Sequence, residues 1–360
     1  MMSTMNGVPY YSSHPLISID GDLKNGLGDT LLTSLLVEES KAGLYRCEAR
    51  FNNWAPRDAR PFPLFAPELV DFGKKFEVTM GPPDIAKRVF NGRIIGIEAH
   101  YPQQQPPEVT ILAEDRFQDL RMERRTRTFE DSSDEDVVQA IATQHGLRAA
   151  VDVDGPTYPV LTQLNQSDLA FLRERAASVD AEVWIDDQTV HFQSRNQRDA
   201  GDVTLIYKGN LYEFSILADL AHQRSSVRVN GWDIASKQAI DEEANESTIS
   251  GELNGYQGGS TLLAQKLAER HERLVTAVPL SSAEALSMAQ TRYRNRARRF
   301  LTGTGTADGN PDIRVGCKVE ISSIGPLFNG RYDVTLVRHT FDRFDGYRTF
   351  FEVERAGIGG

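Results

Sequence analysis

Seven histidines, two cysteines and 51 aspartates and glutamates are the side chains of this chain that could ligate a metal, attack a substrate or carry a proton. The histidines are His14, His100, His145, His191, His222, His271 and His339. No two of them fall at the close spacing of a metal pair, and no His-Glu-x-x-His occurs. His145 reads as a helix end, and His100, His191 and His339 read as strand residues. Cys47 and Cys317 are too few and too far apart for a zinc site or a disulfide framework, so they read as reduced, buried thiols. Paired carboxylates can hydrolyse a glycoside. Among 51 acidic residues chance pairs are unavoidable, however, and solvated surface carboxylates are the plain reading.

The remaining chemical patterns are partial. Asp152-x-Asp154-Gly155 opens like a calcium loop but lacks the third acidic position and the distal Glu, so it reads as a turn. Gly303-x-Gly305-x-x-x-Gly309 resembles a phosphate loop, yet its spacing is wrong and it follows a helix where a dinucleotide loop precedes one. It is expected to be a flexible helix-to-strand linker. No Gly-x-Ser-x-Gly elbow and no Gly-Lys-Ser/Thr P-loop occur. Asn165-Gln166-Ser167 and Asn245-Glu246-Ser247 match the glycosylation pattern, which is idle without secretion. The sequence thus nominates no catalytic residue, no cofactor or cofactor-binding residue and no metal ligand.

Composition bounds the rest. At 360 residues the chain suits two or three domains, and 40% hydrophobic with 25% charged residues is ordinary for a soluble globular protein. A net charge of -11 argues against a broad nucleic-acid-binding surface and against an anionic bilayer. No secretory signal and no membrane-length apolar run is present, so synthesis in the cytoplasm is expected.

The elements follow from period and turn chemistry. Residues 1–14 lack periodicity and read as a flexible or docking arm. Strands are predicted at Leu16–Ile19, Thr30–Glu38, Leu44–Phe51, Lys75–Met80, Lys87–Tyr101 and Glu108–Ala113, with Gly96 at a bend or bulge. Such a run with short polar turns predicts an antiparallel barrel or sandwich. From about Arg125 the period becomes helical. A capping box at Ser132-x-x-Glu135 opens a helix carrying Val137, Val138 and Ile141, which His145-Gly146 stops. A second helix, capped by Ser167 or Asn165, carries Leu169, Leu172, Ala176 and Val179, and a hairpin turns at Asp186-Asp187-Gln188. Further strands are predicted at Thr204–Tyr207, Leu211–Leu217 and Ser225–Trp232. The acidic stretch Asp241–Ser247 and the stretch Asn254–Ser260 read as mobile loop. A short helix over Thr261–Glu272 follows. A closing helix then presents Ala283, Leu286, Ala289, Tyr293, Ala297 and Phe300 on its apolar face. Its arginines, Arg292, Arg294, Arg296, Arg298 and Arg299, read as a solvated face, and with acidic residues elsewhere they would also fit charge complementarity between subunits. The cluster Arg121, Arg124, Arg125 and Arg127 reads as a salt-bridged strand or a subunit contact. The turns Asn310-Pro311, Asn329-Gly330 and Asp345-Gly346 punctuate a last run of strands that could close a small barrel.

Leu164-Asn165-Gln166-Ser167-Asp168-Leu169-Ala170-Phe171-Leu172-Arg173-Glu174-Arg175-Ala176, followed by Ala181-Glu182-Val183-Trp184, resembles the QSDxxFLxRLA signature of the phage late control D and VgrG family. These are baseplate hub proteins of contractile injection systems. Arg127–Ser133 and Val137–Ala142 are similar to that family too. So are Gly309-Asn310-Pro311-x-Ile313-Arg314-Val315-Gly316, Phe328–Tyr332 with Val334, Val337 and His339, and Tyr347-Arg348-Thr349-x-Phe351-x-Val353. The resemblance spans about Arg121 to Arg355; the first 120 residues share only their β-rich character.

The resemblance implies a mainly β chain with an α+β insertion, built as two tube-like antiparallel β-barrel domains plus a small α+β domain. The expected division is an arm over 1–15, a first barrel over 16–124, the α+β domain over 125–200 and a second barrel with an acidic loop and helices over 201–360. It implies a homotrimer acting as symmetry adapter between a six-fold tail tube and a three-fold spike, with no enzymatic step. The implied partners are a second and third copy of the chain, the tail tube protein, a spike and other baseplate or wedge proteins. Neither a membrane nor a specific nucleic-acid sequence is implied. VgrG-type chains continue into a spike; this one stops at Gly360, so the spike is expected to be a separate protein. The place implied is a virion baseplate or an assembled injection particle made in a host cytoplasm. A tail-associated peptidoglycan hydrolase and an effector-loading adapter stand as alternatives.

Overall fold

The computed structural model describes residues 14–24, 26–54, 62–82, 85–233, 236–275 and 279–359. The predicted arm lies almost wholly outside the described residues. The chain is mainly β with an α+β insertion, its two antiparallel barrels flanking a small helical module.

The first barrel uses β1 (Leu16–Ile19), β2 (Leu32–Ser40), β3 (Arg46–Asn52), β4 (Lys75–Met80), β5 (Lys87–His100) and β6 (Glu108–Glu114). Strict alternation drives them inward. In β3, Cys47, Ala49 and Phe51 are buried while Arg46, Glu48 and Arg50 face water. The β5–β6 ladder slips between Ile94 and Gly96, the predicted bulge.

The module contains β7 (Arg124–Ser132), α1 (Asp134–Gln144), β8 (Arg148–Asp152), β9 (Tyr158–Ser167), α2 (Asp168–Ser178), β10 (Ala181–Asp186) and β11 (Thr189–Ser194). The capping box is one residue later than predicted: Ser133 caps α1, and Asp136 returns the hydrogen bond to the Ser133 backbone. Ser167 caps α2. β9 was not anticipated, because only its pairing with β7 reveals it.

In the last region come β12 (Asp202–Ile206), β13 (Leu211–Ala218), β14 (Ser226–Asp233), β15 (Gln238–Asn245), α3 (Gly259–Leu267) and β16 (His271–Leu274). After them follow α4 (Ser282–Ala297), β17 (Leu301–Asp308), β18 (Lys318–Ser322), β19 (Gly330–Asp342) and β20 (Gly346–Arg355).

Four expectations fail here for identifiable reasons. The acidic stretch is strand β15, not loop. Ile240 and Ala244 point into the core beneath α4, and Arg228 on β14 lies beside Glu243 and Asp241, offsetting their charge. The glycine-rich linker is strand β17. A Cβ at Gly305 would stand 2.5 Å from the Phe351 ring, and one at Gly303 2.7 Å from the Ser215 carbonyl, so both glycines let neighbours pack flush. Helix α3 begins and ends early. Glu246 accepts from the Thr261 backbone and hydroxyl, Ala268 takes φ 77°, and the chain then joins β14 as parallel strand β16. Along α4 the buried face uses Ala285, Ala289, Tyr293 and Ala297, leaving Leu286 exposed.

One sheet of thirteen strands runs through both barrels, in the order β13-β17-β20-β19-β2-β3-β6-β5-β4-β1, closed beyond β1 by the two-residue strand Asp22–Leu23, with β18 and β12 branching from β19. The long hairpin β19–β20 makes the join. Its far end places Phe341 and Tyr347 in the first barrel's core, and its near end places Val334, Val337, Phe351 and Val353 in the second. The module has its own core, and a fourth cluster lies between α4 and β14–β15.

Candidate interaction surfaces and the junction between the cores

Burying an ion pair seldom adds net stability, but it fixes orientation, and removing one partner is expensive. The cores of this chain meet through such pairs. Arg198, buried, donates to Glu182 at 2.8 Å and to the Tyr45 hydroxyl at 2.6 Å, with its guanidinium 4.2 Å over the Trp184 ring. Glu182 lies 3.6 Å from Arg195, which bonds Glu354 on β20, and Glu354 lies 3.5 Å from Lys41. The path therefore links the first barrel, the module and the second barrel. Arg314 bonds the buried Glu39 across the two barrels. Arg173 on α2 donates to the carbonyls of Ala42 and Gly43 at 2.6 and 3.0 Å. Arg298 donates to both Asp180 and Glu252.

A cleft of about 440 Å³ opens where these bodies meet, lined in part by Glu39, Tyr45, Asp115, Trp184, His191 and Arg198. Burial pushes Asp115 up to about 7, against hydrogen bonds from the backbone N–H groups of Tyr45 (2.7 Å) and Phe117 (2.9 Å). Burial holds His191 below its ordinary value, and its ring stacks on Trp184 at 4.9 Å. The other cleft carboxylates are also engaged. Asp187 bonds Arg88 and Asn91, Asp186 lies 4.0 Å from Arg88, and Asp199 accepts from the Gly201 N–H. These groups hold backbone and guanidinium in place; the arrangement is that of a joint.

The histidines are dispersed. His339 is fully buried, its Nδ1 2.9 Å from the Tyr347 hydroxyl, and burial with the nearby Arg314 charge holds it down to about 3. His145 ends α1 with Nε2 2.8 Å from Asp168, and His271 Nδ1 lies 2.9 Å from the Ser226 hydroxyl. Among the described residues, no group of three or more His, Cys, Asp or Glu is placed to hold a metal. Cys47 and Cys317 are free and buried.

The arginines of α4 and the turn after it are only partly a solvated face: Arg292 and Arg299 are exposed, but Arg292 and Arg296 both bond Glu272, and Arg298 is buried. Arg121 and Arg125 are salt-bridged to Glu114 and Glu123. Asp168, within the signature, is an anchor that sequence reasoning missed. It is buried at the first turn of α2 and gathers Arg127 at 2.7 Å, Arg125 at 3.3 Å and His145. The only advance signal was the arginine pair on β7, whose register with β9 was invisible.

A second kind of surface lies at one end of the first barrel. Trp54, Phe62 and Tyr101 form edge-to-face pairs at 6.1 and 6.0 Å, with Phe65 5.8 Å from Phe62. Asn53 positions them: it is buried, its Oδ1 accepts from the Leu64 N–H at 2.9 Å, and its own N–H donates to the Pro107 carbonyl at 2.8 Å.

A family model described as the Alg8 N-terminal domain matches residues 57–342. No curated protein matches the chain. Solved structures do. The 43 kDa tail protein of prophage MuSo2 from Shewanella oneidensis aligns at TM-score 0.68 and 13% identity, over 96% of this chain and 98% of its own. A tail protein from Neisseria meningitidis MC58 aligns at 0.67 and 13%, over 97% and 98%. An E. coli component of the type VI secretion system, described as structurally similar to bacteriophage T4 tail proteins, aligns at 0.60 and 12%, over 96% and 79%. At these identities what is shared is the fold, and it is shared across nearly the whole chain. No helix among the described residues is long and apolar enough to cross a membrane.

Proposed function

We propose that this chain, which belongs to the Alg8 N-terminal domain family, is a structural baseplate hub of a contractile tail or injection particle. It works as a homotrimer that adapts a six-fold tube to a three-fold spike. The observation that carries the reading is the pair of barrels joined by one continuous sheet. Three copies of two similar barrels make a ring that is six-fold in outline and three-fold in fact. The likeness to tail proteins over nearly the whole chain supports the same reading.

In this reading residues 1–15 are an arm, 16–124 and 201–360 the two barrel domains, and 125–200 the α+β domain. The hub contacts the tail tube protein on one face and a spike on the other, with further baseplate proteins outside the ring. It performs no enzymatic step. Its charged junction resists shear when the tube is driven forward, because the Arg195–Glu354, Arg298–Asp180 and Arg314–Glu39 pairs each tie two cores together. The test is the mass of the purified chain by light scattering. Three-chain mass at micromolar concentration is expected, and a compact monomer at every concentration sinks the reading.

A further inference from the structure

The module's three-stranded sheet runs β10-β11-β8 and stops at β8. Among the described residues no strand pairs with the outer edge of β8. The Arg148 N–H donates to the Gln188 carbonyl at 2.8 Å. Alternate residues of a parallel strand turn to the same neighbour, so Arg148, Ala150 and Asp152 pair with β11, and the N–H and C=O groups of Ala149 and Val151 face outward. Side-chain burial agrees. Val190 and Phe192 on β11 are fully buried in the module core, while Ala149 and Val151, in register beside them, are only half-buried against it. The core is one strand short. Exposed edges are ordinarily blunted by lysine, proline or a bulge; Ala149-Ala150-Val151 carries none of these.

The two ends of this edge differ in charge. Arg148 opens onto a cleft of about 870 Å³ between the module and the first barrel, to which Lys75, Arg88, Arg93 and Arg116 also contribute, against Asp20 and Asp187. Glu77 holds Lys75 and Arg88, and Asp119 holds Arg116. Among the described residues Arg93 and Arg148 form no ion pair. At the other end Asp152 and Asp154 line a cleft of about 640 Å³ between the module and α4. They too form no ion pair among the described residues. In a chain of net charge -11, two arginines left open beside an open strand mark a place for carboxylates.

We infer that the outer edge of β8 takes up an extended segment of another protein as a fourth strand, acidic at the end beside Arg148 and basic at the end beside Asp152. The segment's backbone pairs with the outward groups of Ala149 and Val151, and its inward side chains close the core over them. Its end charges meet Arg93 and Arg148 on one side and Asp152 and Asp154 on the other. The inference stands apart from the hub reading, because the edge lies on the module and needs no particular number of copies.

The test titrates the purified full chain into labelled peptides of alternating valine and threonine, with glutamates at one end and lysines at the other, made in both chain directions. At least one direction should bind. Amide exchange at Ala149 and Val151, fast in the free chain, should slow at least about tenfold at saturation. Ala149→Pro removes an outward N–H that no bond of the fold uses and should abolish binding. Arg93→Glu with Arg148→Glu leaves the strand's backbone unaltered and should weaken binding about tenfold, the loss of two exposed pairs. A peptide with lysines at both ends should not compete. Slow exchange of both amides in the free chain, binding that survives Ala149→Pro, equal binding of the lysine-ended peptide, or no binding in either direction overturns the inference. So does growth of the chain's own mass with concentration that Ala149→Pro abolishes, which gives the edge to a second copy. Three-chain mass at micromolar concentration tests the hub reading separately.

Discussion

Arg298 is the side chain whose removal most directly probes the joint between module and second barrel. It is 3% exposed and bonds both oxygens of Asp180 and both of Glu252, the latter at 2.7 Å each. Arg298→Met keeps much of the buried stem and deletes the charge. Asp180, 9% exposed, is then left with Arg294 at 3.6 Å. Glu252 is exposed enough to rehydrate, so the damage falls mainly on Asp180. Breaking one buried pair costs about 3–5 kcal/mol; with Glu252 released, about 3 kcal/mol is expected, on the order of a hundredfold in an opening equilibrium. Amide hydrogen exchange is the assay, because a long chain with several cores need not unfold in one step. Protection across Ala181–Asp186 and Ser282–Ala297 should fall by that factor. Adding Asp180→Asn should recover most of it. Protection unchanged within threefold would refute the claim that this pair joins the two bodies.

Three further outcomes follow from the same geometry. His339 is held at about 3 against an ordinary 6.5, so the folded state binds fewer protons and stability falls as pH drops through that window. Asp115, pushed to about 7 from 3.8, does the opposite: its contribution is full below 3.8 and is lost as pH rises through 7. The slopes, each about 1.4 kcal/mol per pH unit, nearly cancel between 3.8 and 6.5. Relative to the wild type, the urea midpoint should rise towards acid in His339→Gln and fall towards acid in Asp115→Asn; parallel curves for all three would contradict this. Gly305→Val drives a side chain into the Phe351 ring and should cost about 3 kcal/mol, whereas Gly21→Ala, with open space but φ 85°, should cost about 1 kcal/mol in thermal melts. Burial raises both thiols, Cys317 to about 11. Neither should react with iodoacetamide at pH 8 until the protein unfolds, and rapid native labelling would show the cores to be open.

What the sequence made legible was whatever is encoded locally. Lys75–Met80 alternates cleanly and is a strand at those bounds, and Ser167 caps its helix as its position before Asp168 suggests. The acidic strand was illegible because its inward face is only Ile240 and Ala244, and its counter-charge, Arg228, sits on the neighbouring strand. Gly303 and Gly305 looked like a linker because what requires them is the Phe351 ring and a carbonyl on β13. The aromatic cluster was hidden for the same reason: Trp54 and Tyr101 are far apart in sequence and come together around Phe62 only through strand register. Order and spacing of the signature around Ser167 pointed to the fold, while the role of Asp168 as a buried hub for two arginines and a histidine needed coordinates.

The account stands most directly on where the chain sits in an assembled particle. Electron cryomicroscopy of the intact particle, averaged without imposed symmetry at the tip of the tube, should show three copies forming a six-lobed ring beneath the first tube layer. A single copy, or a position outside the tube axis, would contradict the central claim.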